Sequence, residues 1–240
     1  MPNKLIIANW KAYLKATEVM EILHAVIPHQ VRNDVDIIIA PSPPYLALIR
    51  SKSPDITLAA QDVSAIADKY GAYTGELPAI MLADMGVKYA IIGHSERRSN
   101  GLDNEQIIAL KVRHALAVGI KPIICVGETR AERDGGKYLD IVAGQLRSLN
   151  ILEDVDIIVA YEPSWSVGTG LVPSSDEISE MMNLIRSTLG IARKVKLVYG
   201  GSVSAENAKD IVNIPGVDGV LIGKASTDAM QFKEIIRRVS

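Results

Sequence analysis

The chain carries eight short, almost continuously apolar runs: Lys4–Asn9, Val35–Ala40, Ile56–Gln61, Tyr89–Gly93, Lys121–Val126, Asp156–Tyr161, Lys196–Tyr199 and Gly219–Ile222. They are rich in β-branched residues and do not alternate with polar ones, the pattern of parallel strands buried on both faces. The stretches between them keep helical spacing. Over Asn104–Val118 the residues Ile108, Val112, Ala115 and Leu116 fall on one stripe. Farther along, Ser174-x-x-Glu177 reads as a capping box. Ile178, Met181, Met182, Ile185 and Leu189 form the inward face of the helix it opens, and Gly190 stands as its C′ residue.

Eight strand–helix units with no Pro- or Ser-rich linker predict one closed (β/α)8 barrel, a single α/β domain spanning residues 1–240. The length suits such a barrel, which typically takes about 250 residues. The competing architecture is an open doubly wound sheet, which has fewer strands and a glycine-rich fingerprint after the first. Here the first strand runs into Asn9-Trp10-Lys11, with no glycine. In a barrel, chemistry gathers on the loops at the C-terminal ends of the strands.

Composition narrows the class. Hydrophobic residues make up 48% of the chain, charged residues 22%, and the formal net charge is −2. That is ordinary globular composition, with no overall field to attract nucleic acid or an anionic membrane surface. Cys125 is the lone cysteine, so no intrachain disulfide can form, which suits a reducing cytoplasm. No apolar run approaches the ~20 residues that span a bilayer. The start, Met1-Pro2-Asn3-Lys4, lacks the charged and then apolar regions of a signal peptide. The expectation is a cytoplasmic protein with neither a nucleic-acid nor a membrane partner.

Polar residues collect at the predicted strand ends. The first strand leads to Asn9 and Lys11, the fourth to His94-Ser95-Glu96-Arg97-Arg98, the sixth to Glu162-Pro163, and the last two to Gly200-Gly201-Ser202 and Gly223-Lys224. Glycine-containing turns after strands seven and eight suit a phosphate, whose oxygens backbone N–H groups can reach. A carboxylate there can abstract a proton from carbon beside a carbonyl, and an imidazole and a lysine can stabilise the oxygen that gains charge. Singly, each has a plainer reading: a glutamate that caps or pairs, a histidine that closes a turn, a solvated lysine. Their convergence on one mouth is what points to chemistry. His24, His29 and His114 lie in helical stretches and read as structural or surface residues. His94-x-Glu96 lacks the Pro-Cys-x-x-Cys partner of a zinc deaminase, and metal-ligand spacing is absent elsewhere, so no metal or other cofactor is expected.

The segments Asn9-Trp10-Lys11, Gly71-Ala72-Tyr73-Thr74-Gly75-Glu76, Ile91-Ile92-Gly93-His94-Ser95-Glu96-Arg97-Arg98, Cys125-Val126-Gly127-Glu128, Ala160-Tyr161-Glu162-Pro163 and Tyr199-Gly200-Gly201-Ser202 occur in the order and at the spacing of one family. Along nearly its whole length the chain resembles the triosephosphate isomerases. The resemblance implies a TIM barrel that interconverts dihydroxyacetone phosphate and glyceraldehyde 3-phosphate in glycolysis and gluconeogenesis. It implies Glu162 as the base, His94 as a neutral electrophile, and Lys11 and Asn9 as stabilisers of the developing oxyanion. Phosphate would rest on the backbone amides of Gly168, Ser202, Gly223 and Lys224. Val167 and Leu221 match an apolar pair that closes over the carboxylate. The segment Pro163-Ser164-Trp165-Ser166-Val167-Gly168-Thr169-Gly170-Leu171-Val172-Pro173 matches a mobile lid, which would keep water from an enediol phosphate prone to lose its phosphate. The loop with Tyr73, Thr74 and Glu76 matches a segment that contacts a second subunit, implying a homodimer.

Three positions depart from the family pattern. Lys224 replaces a common glycine, keeping the amide but requiring its side chain to turn away. Asp103 replaces a usual glutamate near the subunit interface. Leu171-Val172-Pro173 replaces a frequent Lys-Thr-Ala, and Pro173 has no N–H to bond the hydroxyl of Tyr199 when the lid closes. Tyr199 is therefore expected to find another partner or to contribute little to closure. The alternatives are a barrel acting on another phosphorylated sugar or indole precursor, and an inactive phosphate-binding or scaffolding relative.

Overall fold

The computed structural model describes residues 3–30, 35–147, 155–190 and 195–240, the side chains of 27–30 excepted. Met1, Pro2 and the side chain of His29 therefore lie outside the described residues. Eight parallel strands close on themselves in chain order: β1 (Lys4–Asn9), β2 (Val35–Ala40), β3 (Thr57–Ala60), β4 (Tyr89–Ile92), β5 (Lys121–Val126), β6 (Ile157–Tyr161), β7 (Val195–Tyr199) and β8 (Gly219–Ile222). β8 pairs with β1, Leu5 lying opposite Gly219 and Ala8 opposite Ile222, so the sheet has no edge. The chain is a (β/α)8 barrel.

Three strands are shorter than the apolar pattern, β6 beginning at Ile157 instead of Asp156, and β7 is longer by Val195. Ile56 closes a turn on the Ser53 carbonyl instead of joining β3, and Gln61 sends its side-chain amide to the carbonyls of Lys11 (2.8 Å) and Ala40 (3.0 Å). β4 stops before Gly93, whose φ of 74° leaves the extended region. The helix anticipated over 104–118 spans Glu105–Ala117, with the Asn104 side chain accepting from Ile107 N. The Ser174 capping box forms in both directions, and all five anticipated residues of its helix are buried. Gly190 ends that helix at φ 85°, a conformation open to glycine.

Strand residues alternate between two apolar layers. Leu5, Ile7, Ile38, Ile91, Ile123, Cys125, Ile158, Ala160, Val198 and Leu221 pack inside the barrel. Their neighbours, among them Ile6, Ile39, Ile92, Ile124, Val159, Tyr161, Tyr199 and Ile222, pack outward against the helices. Both faces are dry, which is why the strands read as unbroken apolar runs.

The period of two also decides what stands at the mouth. Continuing the inward row past the last interior residue reaches Asn9 after Ile7, Gly93 after Ile91, Gly127 after Cys125, Glu162 after Ala160, Gly200 after Val198 and Gly223 after Leu221. On these six strands two polar side chains and four glycines rim the barrel at one level, and on β2 and β3 the same step past Ala40 and Ala59 reaches Ser42 and Gln61.

Candidate active site

Glu162 stands between two of those glycines. Its N–H bonds the Val126 carbonyl of β5 (2.8 Å), and Gly200 N–H bonds the Tyr161 carbonyl (2.9 Å), so Gly127 and Gly200 flank it in register. A Cβ at Gly127 would run into the backbone of Glu162, and one at Gly200 would lie 2.5 Å from its Cγ and 3.0 Å from Oε1. The carboxylate fills that space. It is 2% exposed, and among the described residues no N–H or O–H donor bonds either oxygen; the closest polar neighbours are the Cys125 thiol and the His94 ring. Buried carboxylates normally accept several N–H or O–H bonds, so one that accepts none at a strand end marks a functional position.

His94 faces it. The ring caps the short helix Ser95–Ser99, with Nδ1 accepting from Glu96 N–H at 3.2 Å. A ring nitrogen that accepts an N–H carries no proton, so this bond defines the neutral tautomer with hydrogen on Nε2. Nε2 lies 3.6 Å from Glu162 Oε1. Cys125, one interior step below the rim, holds its thiol beside the same carboxylate. Burial first, and then the charge of Glu162, push its pKa well above the usual thiol range. It stays a neutral thiol.

Lys11 completes the group. It is the one non-glycine among the described residues with positive φ, 49°, a conformation costing about 1–2 kcal/mol. Local bonds impose it: Asn9 Oδ1 accepts from Lys11 N–H (3.1 Å), while Ser42 Oγ and the Gln61 amide both donate to the Lys11 carbonyl. The ammonium meets Glu96 Oε1 at 2.7 Å, and a Cβ on Gly223 would lie 3.4 Å from Lys11 Cε. The lysine therefore lies beside the turn after the neighbouring β8 and reaches across the mouth to Glu96, after β4. Lys224 beside that turn is exposed.

The segment 163–173 is tied at both limbs. Glu128, fully buried, accepts from Trp165 Nε1 (3.0 Å), Tyr161 hydroxyl (3.1 Å) and Arg133 (3.1 Å), while its carbonyl takes Ser164 N–H (2.9 Å). Toward the tip, Gly170 N–H donates to Ser202 Oγ (3.0 Å), whose own proton goes to the Ser166 carbonyl (2.5 Å). Tyr199 does have another partner: its hydroxyl lies 3.0 Å from Ser166 Oγ. The roles of Glu128 and Ser166 are not evident from sequence. Glu128 lies within a family-like segment but carries no local sign of an anchor, and a loop serine has no periodic signal.

Asp103 reaches its partners despite the shorter stem, with Arg97 Nε at 3.1 Å and Lys111 Nζ at 2.6 Å. Thr74 is exposed, and Tyr73 and Glu76 are partly buried. Glu76 is braced on the Ser64 hydroxyl, while Ile66 and Tyr70 on the same loop are 68% and 58% exposed. Among the described residues no cluster of His, Cys, Asp and Glu could hold a metal ion, and no helix is long and apolar enough to cross a membrane.

A family described as triosephosphate isomerase matches residues 4–239. A triosephosphate isomerase from Francisella tularensis subsp. mediasiatica (strain FSC147) is 39% identical over 251 positions, covering 99% of this chain and 98% of the relative. One from Hahella chejuensis (strain KCTC 2396) is 38% identical over 245, covering 98% of each. One from Orientia tsutsugamushi (strain Boryong) is 40% identical over 245, covering 99% and 98%.

Burial pushes Tyr199 up to about 12 from 10.0. Below pH 10 folded and unfolded chains both keep the proton, and this contribution to stability is complete. As pH rises toward 12 the unfolded chain loses it first, so stability falls. Urea midpoints should therefore drop less between about pH 9 and 11.5 in Tyr199→Phe than in wild type. Equal drops contradict the assignment.

Proposed function

The chain belongs to the triosephosphate isomerase family, and we infer from that membership and from the mouth's geometry that it interconverts dihydroxyacetone phosphate and D-glyceraldehyde 3-phosphate through an enediolate. The observation that carries the reading is the buried, unpaired Glu162 carboxylate facing the Nε2 of a neutral His94.

The reaction moves one proton between adjacent carbons. Glu162 takes it from the carbon beside the carbonyl, and the electron pair left behind forms the enediolate. Glu162 then returns the proton to the neighbouring carbon, while the hydroxyl proton of the first carbon passes to the former carbonyl oxygen, so that carbonyl and hydroxyl exchange places. As charge grows on oxygen, His94 Nε2–H donates to it and the Lys11 ammonium opposes it, with Asn9 fixing the backbone that holds Lys11. A neutral His94 is well matched to this role, because it donates without carrying a full charge that would pair with Glu162 in the resting site. Phosphate lies on the amides of Gly168, Ser202, Gly223 and Lys224, at the turns after β7 and β8 and on the loop above them. The segment 163–173 acts as a lid that brings Val167 over the base, with Leu221 of the barrel interior enclosing it from the other side. That matters because an enediol phosphate in water eliminates phosphate. No step needs a cofactor.

We also read the protein as a cytoplasmic homodimer. The projecting 61–78 loop, braced at Ser64 and Glu76, presents Thr74 with exposed apolar neighbours at its base, a shape that suits insertion into a second copy.

Two measurements follow. In a coupled assay with glyceraldehyde 3-phosphate, Glu162→Gln should lower kcat about 100- to 10,000-fold, the range for a lost general base; equal turnover by wild type and variant sinks the mechanism. Thr74→Arg should convert a sedimenting dimer to monomer and lower turnover, because a charge cannot enter a protein pocket unpaired. An unaltered dimer means the loop is not the contact.

A further inference from the structure

Ser166 sits where the two limbs of the 163–173 segment meet the turn after β7, and its side chain is completely buried. A hydroxyl has one proton and two lone pairs. The proton is committed: Ser166 Oγ lies 2.6 Å from the Leu171 carbonyl, which can only accept. Ser202 N–H, 3.2 Å away, takes one lone pair. The remaining lone pair faces the Tyr199 hydroxyl at 3.0 Å, so Tyr199 must be the donor. One oxygen thereby joins the descending limb of the loop, the ascending limb and the β7 turn, with its hydrogen-bonding capacity used in full.

The surroundings are shaped for this junction. A Cβ on Gly201 would collide with the Tyr199 hydroxyl and lie 2.5 Å from Ser166 Oγ, so the turn can pass only as glycine. Tyr199 is wholly buried and edge-on to Tyr161, ring centroids 6.2 Å apart, which points its hydroxyl in one direction. The neighbouring Ser202 Oγ adds a parallel tie, bonding Ser166 O and Gly170 N–H. Pro173, on the ascending limb, has no N–H to offer any acceptor.

We propose that Ser166 is the positioning residue that latches the 163–173 segment over the mouth, its hydroxyl bonding Tyr199, Ser202 and Leu171 together. It touches no reacting atom; it acts by keeping the loop's amides and apolar side chains over the substrate while the enediolate exists. This role rests on the reading of the mouth as a triose phosphate isomerase site.

The test uses Ser166→Ala, which removes one oxygen and adds no bulk, and Tyr199→Phe, which removes one of the three bonds. In substrate-free protein, amide hydrogen exchange across 163–173 and 200–203 should be about tenfold or more faster in Ser166→Ala, since three hydrogen bonds are lost together. Tyr199→Phe should shift it less. The double variant should exchange no faster than Ser166→Ala alone, because both changes break the same bond. With glyceraldehyde 3-phosphate, Ser166→Ala should lower kcat by a similar factor and raise the inorganic phosphate released per isomerisation. Exchange unchanged from wild type overturns the latch. Faster exchange with unchanged kcat and phosphate release overturns it too, because the bonds would then serve packing alone. Absence of turnover in wild type would instead strike the isomerase reading, and the exchange data would still decide the latch.

Discussion

The arrangement depends on one carboxylate being buried where no N–H or O–H bonds it and only a thiol and an imidazole lie beside it. Desolvating a carboxylate without a partner is among the costlier things a fold can do. The barrel makes it possible by geometry. Its inward rows pack apolar side chains tightly up to Cys125, Ala160 and Val198, and at the next level β5 and β7 supply glycines while β6 supplies Glu162. The side chain occupies volume that two missing Cβ atoms leave, and a residue larger than glycine at Gly200 would displace it. The stability for this comes from elsewhere: two dry apolar layers and a sheet with no edge.

Around that carboxylate the remaining groups are held by bonds that point away from the mouth. His94 spends Nδ1 on the helix it caps, leaving Nε2–H for the site. Lys11 tolerates a left-handed backbone because Asn9, Ser42 and Gln61 grip its peptide groups from three sides. Arg98 ties the rims of β4 and β5 through the carbonyls of Gly93 (2.8 Å) and Cys125 (3.3 Å). Over the top, Glu128 anchors one end of the 163–173 segment and Ser166 the other. Strain and desolvation concentrate at the mouth, with the restraints placed just behind it.

Most of the fold is legible in sequence because double-sided burial writes itself as apolar runs, and because the Ser174 box is a local signal. The inward polar residues follow from the same parity once the strand ends are known. What escapes a reading of the sequence depends on partners far away in the chain. Lys111 sits on the buried face of the helix 105–117, beside Ile108 and Val112, against every rule of helical patterning. It is tolerated because Asp62 (2.8 Å) and Asp103 (2.6 Å) arrive from other elements. Ser166 is the same case. Its neighbours Tyr199 and Ser202 are more than 30 residues away, and a serine between Trp165 and Val167 announces nothing. The missing N–H of Pro173 can be read from the chain, and the bond that answers it cannot.

The central claim is that a sheltered base carries the proton between two carbons. Its most direct test is turnover of glyceraldehyde 3-phosphate in deuterium oxide, with the carbon-bound hydrogens of the product followed by NMR. A carboxylate that holds the proton for a time, largely shielded from water, predicts two product populations: one retaining the original hydrogen, the other carrying deuterium on the carbon that received it. Product carrying deuterium on that carbon in every molecule from the first turnovers would contradict a sheltered base, and the same rate and labelling from Glu162→Gln would contradict the role of Glu162.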